Sequence, residues 1–172
     1  MIELLHLLSP NLFSLALTLA YVLCHAAVKK TAPPIGRTVL VATFLTYVFA
    51  LLSVTLLFRS AAYSNIELDP IASYRRAMRA PAHLAAIEIR NIILNIAMFV
   101  PLGVFLPLLF KKCRKFYVVL SASFLTTLAI EATQLATRRG VFAIEDILHN
   151  TLGAALGFAL FFAFLKIRSS EK

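Results

Sequence analysis

Three pairs of polar side chains stand at helical spacing in this sequence. Asn91 and Asn95 are four apart, Glu131 and Gln134 three apart, and Asp146 and Asn150 four apart. Each spacing puts both members of a pair on one face of a helix. The carboxylates of Glu131 and Asp146 are candidate general bases, and the acids and amides together are candidate partners for a polar or anionic head group. Arg90, Arg138 and Arg139 lie close enough in sequence to balance the acids. The candidate ligand-binding set is therefore Arg90, Asn91, Asn95, Glu131, Gln134, Arg139, Asp146 and Asn150. An alternative use of Glu131, Glu145 and Asp146 is to gather a hard cation such as Mg²⁺ beside a phosphate. Glu145 and His149 form a further i, i+4 pair suited to a carboxylate–imidazole bond, but no nucleophile motif follows them. The four histidines are scattered, and Cys24 and Cys113 have no ligand pattern around them. We expect neither a resident metal nor a cofactor. Plainer roles compete with each pair. Asp146 could cap a helix, and Asn95 and Asn150 could serve as interhelical glue worth about 0.6 kcal/mol each.

The elements that must position these pairs are membrane helices. The chain has 172 residues, 60% hydrophobic, with mean hydropathy +0.86, a composition of the membrane class. Five apolar segments approach the ~20 residues that cross a bilayer: Leu4–Val28, Thr38–Phe58, Asn91–Phe110, Phe116–Ala136 and Asp146–Leu165. No Lys or Arg precedes the first of them in MIELLHLL, so we expect a retained helix rather than a cleaved signal. The pairs interrupt the last three segments, and Glu131 sits about 7 Å inside its apolar run by helical rise. An acid at membrane depth is costly and faces the bundle interior or a wet cavity. The economical arrangement turns all three pairs toward one another, lining one outward-facing pocket.

Charge orients the bundle. Lysine and arginine cluster after segments one, three and five, at Lys29, Lys30 and Arg37, at Lys111, Lys112, Arg114 and Lys115, and at Lys166, Arg168 and Lys172. Every lysine falls on that side, and every acid but Glu171 on the other. The positive-inside rule then places the N-terminus outside and the C-terminus in the cytoplasm. The expected fold is an all-α membrane protein, a single domain over residues 1–172 with about five transmembrane helices. One long external loop, Arg59 to Arg90, separates segments two and three. Asp69-Pro70 can start a short helix there, with Ile71, Tyr74 and Met78 opposite Arg75, Arg76 and Arg79. Such a helix would lie on the outer interface and offer its arginines to anionic head groups; a solvated loop with a basic face is the alternative. Pro101, Gly103 and Pro107 predict a kinked or locally unwound third segment, and Gly153 with Gly157 a close-packing face.

RNIILNIAMFVPLG, then EATQ, then IEDILHNTLGAALG resembles the VanZ-like bacterial membrane proteins, over about residues 65–162. The family pattern is an Asn-containing helix leading to P-L-G, then E-x-x-Q, an Arg, and D-x-x-x-N-x-x-G-x-x-x-G. Those positions read Asn91, Asn95, Pro101, Gly103, Glu131, Gln134, Asp146, Asn150, Gly153 or Ala154, and Gly157. Two departures stand in the loop, where Ala143 replaces an acid and Gly140 takes the place aligned with the arginine, leaving Arg139 one residue displaced. The resemblance implies a multi-pass protein of the bacterial inner membrane, acting at the cell envelope and associated with lowered susceptibility to the lipoglycopeptide teicoplanin. Its expected partners are membrane lipids and a lipid-linked cell-wall precursor or the glycopeptide itself, with no nucleic acid. Binding is expected rather than catalysis. The alternatives are a membrane-embedded transferase or hydrolase with Glu131 or Asp146 as general base, and a structural or transporter subunit.

Overall fold

The structure is a computed structural model that describes residues 2–59 and 63–170. Glu171 and Lys172, which entered the charge pattern, lie outside the described residues. The chain is an all-α membrane protein. Four of its described helices are long and apolar enough to cross a bilayer: Ile35–Leu57, Ala82–Leu109, Phe116–Ala136 and Ile144–Ile167. A shorter apolar helix, Ser14–Lys29, is part of the first helix.

Contacts divide the chain into two compact units, residues 1–57 and 58–172. The first holds α1 (Ile2–Lys29) and α2 (Ile35–Leu52), with a wider π turn over Ser53–Leu57. Pro34 is extended and its carbonyl accepts the N–H groups of Arg37 and Thr38, which starts α2. The hydroxyl of Thr46 donates to Ser14 Oγ across the pair at 3.1 Å.

The second unit carries every polar pair. It runs β1 (Tyr63–Glu67), α3 (Ala72–Arg79), α4 (Ala82–Leu109), α5 (Phe116–Ala136), β2 (Arg139–Ala143) and α6 (Ile144–Ser170). A tight 3₁₀ turn over Lys111–Arg114 joins α4 to α5. Its closest packing is between α4 and α6, and glycine is the reason. A Cβ on Gly153 would fall on the carbonyl oxygen of Ile96, one on Gly157 on that of Val100, and one on Gly103 on that of Ala154. Only hydrogen at these positions lets the two backbones touch. Val119 of α5 and Ala154 and Phe158 of α6 form the buried core beside this seam. α4 stays helical through Pro101 and Pro107, so of the kinked and locally unwound alternatives the unwound one does not occur.

β1 and β2 pair in parallel, with Asn65 opposite Val141 and Glu67 opposite Ala143. Parallel partners need a long crossover, which α3, α4 and α5 supply. Within the expected external loop, α3 forms where Asp69-Pro70 predicted a helix. The Asp69 carboxylate accepts the N–H of Ile71 at 3.2 Å just before it. Ile71 and Met78 are exposed.

Candidate functional site

Helices α4, α5 and α6 bring Asn95, Glu131, Gln134, Asp146 and Asn150 to one layer of the bundle, at the end that carries both strands. Glu131 and Gln134 lie on the inward face of α5 and are buried. The Glu131 carboxylate accepts the backbone N–H of Ala143 at 3.0 Å, the last residue of β2. From α4, the Asn95 amide donates to the Asp146 carboxylate of α6 at 2.6 Å. One turn further along α6, the buried Asn150 amide donates to the hydroxyl of Thr127 on α5 at 2.7 Å. Asp146 and Asn95 are half-buried, so the layer reaches the surface beside them. In a medium with no water to bond, such partners are what allow polar groups to be kept.

The arginine at this layer is Arg59. Its guanidinium donates to Gln134 Oε1 at 3.3 Å, and its charge acts on both Glu131 and Asp146. Sequence reasoning placed Arg59 only at the start of the external loop and missed this role. The signal was Gly140: a Cβ there would sit 2.8 Å from Arg59 Nη1 and 3.3 Å from Gln134 Oε1. The missing side chain makes the room the guanidinium occupies. Arg139 is half-buried in β2, while Arg90 and Asn91 are exposed on α4 and stand outside the network.

Glu145 and His149 do not bond each other as their spacing suggested. Both are buried and both reach α3 instead. Glu145 Oε2 accepts the N–H of Ser73 at 2.8 Å, and His149 Nε2 meets the Tyr74 hydroxyl at 2.8 Å. Glu145 Oε1, His149 Nδ1 and Asn150 Oδ1 are buried without a hydrogen-bond partner among the described residues. The three acids do not converge as the cation alternative required, and no group of His, Cys, Asp and Glu among the described residues could hold a metal.

The arginine face of α3 is largely spoken for. Arg75 pairs with Asp69 at 2.9 Å, and Arg76 with Glu88 of α4 at 3.1 Å. The bond from Glu88 holds the Arg76 guanidinium above its already high ordinary range, so it stays charged.

The sequence model of the VanZ/LLP1 family matches residues 44–166. The chain belongs to the VanZ/LLP1 family. That match takes in Arg59, both strands and all of α3, α4 and α5. No curated protein and no solved structure matches the chain. In this VanZ-type membrane protein, then, Gly140 stands where the resemblance aligned an arginine. The guanidinium beside that position belongs to Arg59, 81 residues earlier (140 − 59).

Proposed function

We propose that this VanZ-type protein acts in the bacterial inner membrane, at the cell envelope, by holding the head group of a lipid-linked ligand at its outer end. The N-terminus is then outside and the C-terminus cytoplasmic, which puts the polar layer of α4–α6 on the outer side. The arrangement that carries this proposal is Arg59 bonded to Gln134, in the layer that also holds Glu131 and Asp146 and near enough for its charge to act on both. A guanidinium next to amides and carboxylates suits a head group with both a phosphate and sugar hydroxyls or peptide amides. A lipid-linked cell-wall precursor has that chemistry. Lowered susceptibility to teicoplanin-type glycopeptides is the phenotype that follows from occupying such a precursor.

The test is teicoplanin and vancomycin susceptibility of a sensitive Gram-positive host carrying wild type, Arg59→Gln, Glu131→Gln or Asp146→Asn, with membrane levels matched by immunoblot. Protection from teicoplanin by wild type, lost in the matched-level variants, is the expected result. Wild type without protection removes the glycopeptide link. Protection that survives all three variants removes the polar layer as the site.

A further inference from the structure

We propose that the groove between α3 and the start of α4 is a second site, which takes the head group of an aminophospholipid. The groove encloses about 700 Å³, within the ~300–1,000 Å³ typical of small-molecule sites, and shares no residue with the polar layer. Its occupant follows from the charges that line it and those that remain unspent.

Three arginines and three acids border the groove, so its lining is formally neutral. Arg75 is matched to Asp69 at 2.9 Å, and Arg76 to Glu88 at 3.1 Å. Arg79 has no acidic partner among the described residues and is exposed. A free guanidinium offers paired N–H donors that match a phosphate. Glu67 has the loosest ion pair of the set, 3.8 Å to an Arg76 that Glu88 already satisfies, and its other oxygen accepts only a long bond from the Asp69 N–H at 3.4 Å. Its carboxylate is the acid best able to take a new cation. A head group with one phosphate and one ammonium uses both spare groups and leaves the lining neutral. An anionic head alone would leave unbalanced charge beside an apolar wall, where screening is weak.

Two further observations narrow the class. Among the described residues the lining has no aromatic side chain, which disfavours a quaternary ammonium, since such groups are held by aromatic faces. A primary ammonium can instead donate hydrogen bonds to Glu67. The α4 wall of the groove includes Leu84, 45% exposed, and Ile87, 44% exposed. Both belong to a membrane-crossing helix, so acyl chains can run along them from a head group seated at Arg79.

The test is native mass spectrometry of the full-length protein, released from micelles doped in turn with phosphatidylethanolamine, phosphatidylcholine or phosphatidylglycerol. Wild type is expected to retain phosphatidylethanolamine about tenfold more tightly than the other two, the scale of one charge-assisted bond. Arg79→Gln should weaken phosphatidylethanolamine and phosphatidylglycerol together. Glu67→Gln should erase the preference for phosphatidylethanolamine while leaving phosphatidylglycerol binding as it was. Equal retention of the three lipids by wild type overturns the proposal, as does undiminished phosphatidylethanolamine binding in Arg79→Gln. Thermal melting of both variants shows that they are folded. Because no polar-layer residue is altered, the outcome is independent of the glycopeptide experiment.

Discussion

Replacing Glu145 should release α3 without unfolding the bundle. α3 has eight residues, short of the ~12–15 that make an isolated helix even marginal in water. Ile71, the residue before it, has no side chain that could cap the helix. The N–H of Ser73 is instead taken by Glu145 Oε2, 72 residues away in sequence, at 2.8 Å. A hydrogen bond to a charged group is worth about 1.5–3 kcal/mol, and a lost N-cap costs about 0.5–2 kcal/mol. Taking about 2 kcal/mol, Glu145→Ala should raise the open population of α3 about 30-fold. Trypsin reads this directly, because Arg75, Arg76 and Arg79 are exposed and each follows the opening of the helix. Cleavage tracks that population when opening is fast. Glu145→Gln keeps a carbonyl acceptor and loses the charge, so about fivefold is expected from half the energy. The melting midpoint should not fall in step. Glu145 is 2% exposed and its Oε1 is unpartnered, so removing the charge also relieves a desolvation cost. Wild-type cleavage rates in Glu145→Ala, or a lower midpoint with α3 unchanged, would refute the reasoning.

Further outcomes follow from the same contacts. Tyr74→Phe removes the bond to His149 and should open α3 about fivefold, for a loss near 1 kcal/mol, in the same tryptic assay. Gly157→Ala sets a Cβ on the Val100 carbonyl; backbone cannot swing aside, so the loss should reach about 3 kcal/mol, the upper end for overpacking, measured by denaturant unfolding in micelles. Gly140→Ala crowds the tips of Arg59 and Gln134, with Gln134 Cβ at an ordinary 3.8 Å, so stability should change by less than about 0.5 kcal/mol, while susceptibility should match that of Arg59→Gln. Asn150→Ala loses the bond to Thr127 and should cost about 0.6 kcal/mol, a typical interhelical value, by the same unfolding measurement.

What could be seen in the sequence was whatever a single helix settles by itself. Spacing alone decides that Glu131 and Gln134 share a face, or that Gly153 and Gly157 do, and apolar length alone marks the crossing helices. Contacts between distant segments were not legible. The link from Arg59 to Gln134 spans 75 residues, and nothing local in either segment announces it. The five-residue strands are also silent, since Arg139–Ala143 and Tyr63–Glu67 are too short to show an alternating pattern and gain their meaning only from each other. Glu145 and His149 show the limit in reverse. Their spacing permits a mutual bond, yet α3 offers an N–H and a hydroxyl that compete successfully for both.

The acids of the polar layer are not equivalent, and this decides how substitutions at the site must be interpreted. Glu131 holds the N–H of Ala143 and Glu145 that of Ser73, so each ties a helix to a neighbouring connection through backbone. Removing either acceptor leaves a peptide N–H without its partner, and the loss is structural before it is chemical. Asp146 differs. Its bond is to the side chain of Asn95, it is half-buried, and Arg59 acts on it. Among the described residues no backbone donor depends on it. Asp146→Asn therefore keeps shape and an acceptor oxygen while removing charge, and its level in the membrane should stay near wild type. A phenotype in that variant, at matched level, points to the ligand; one confined to Glu131→Gln points to the anchoring of β2.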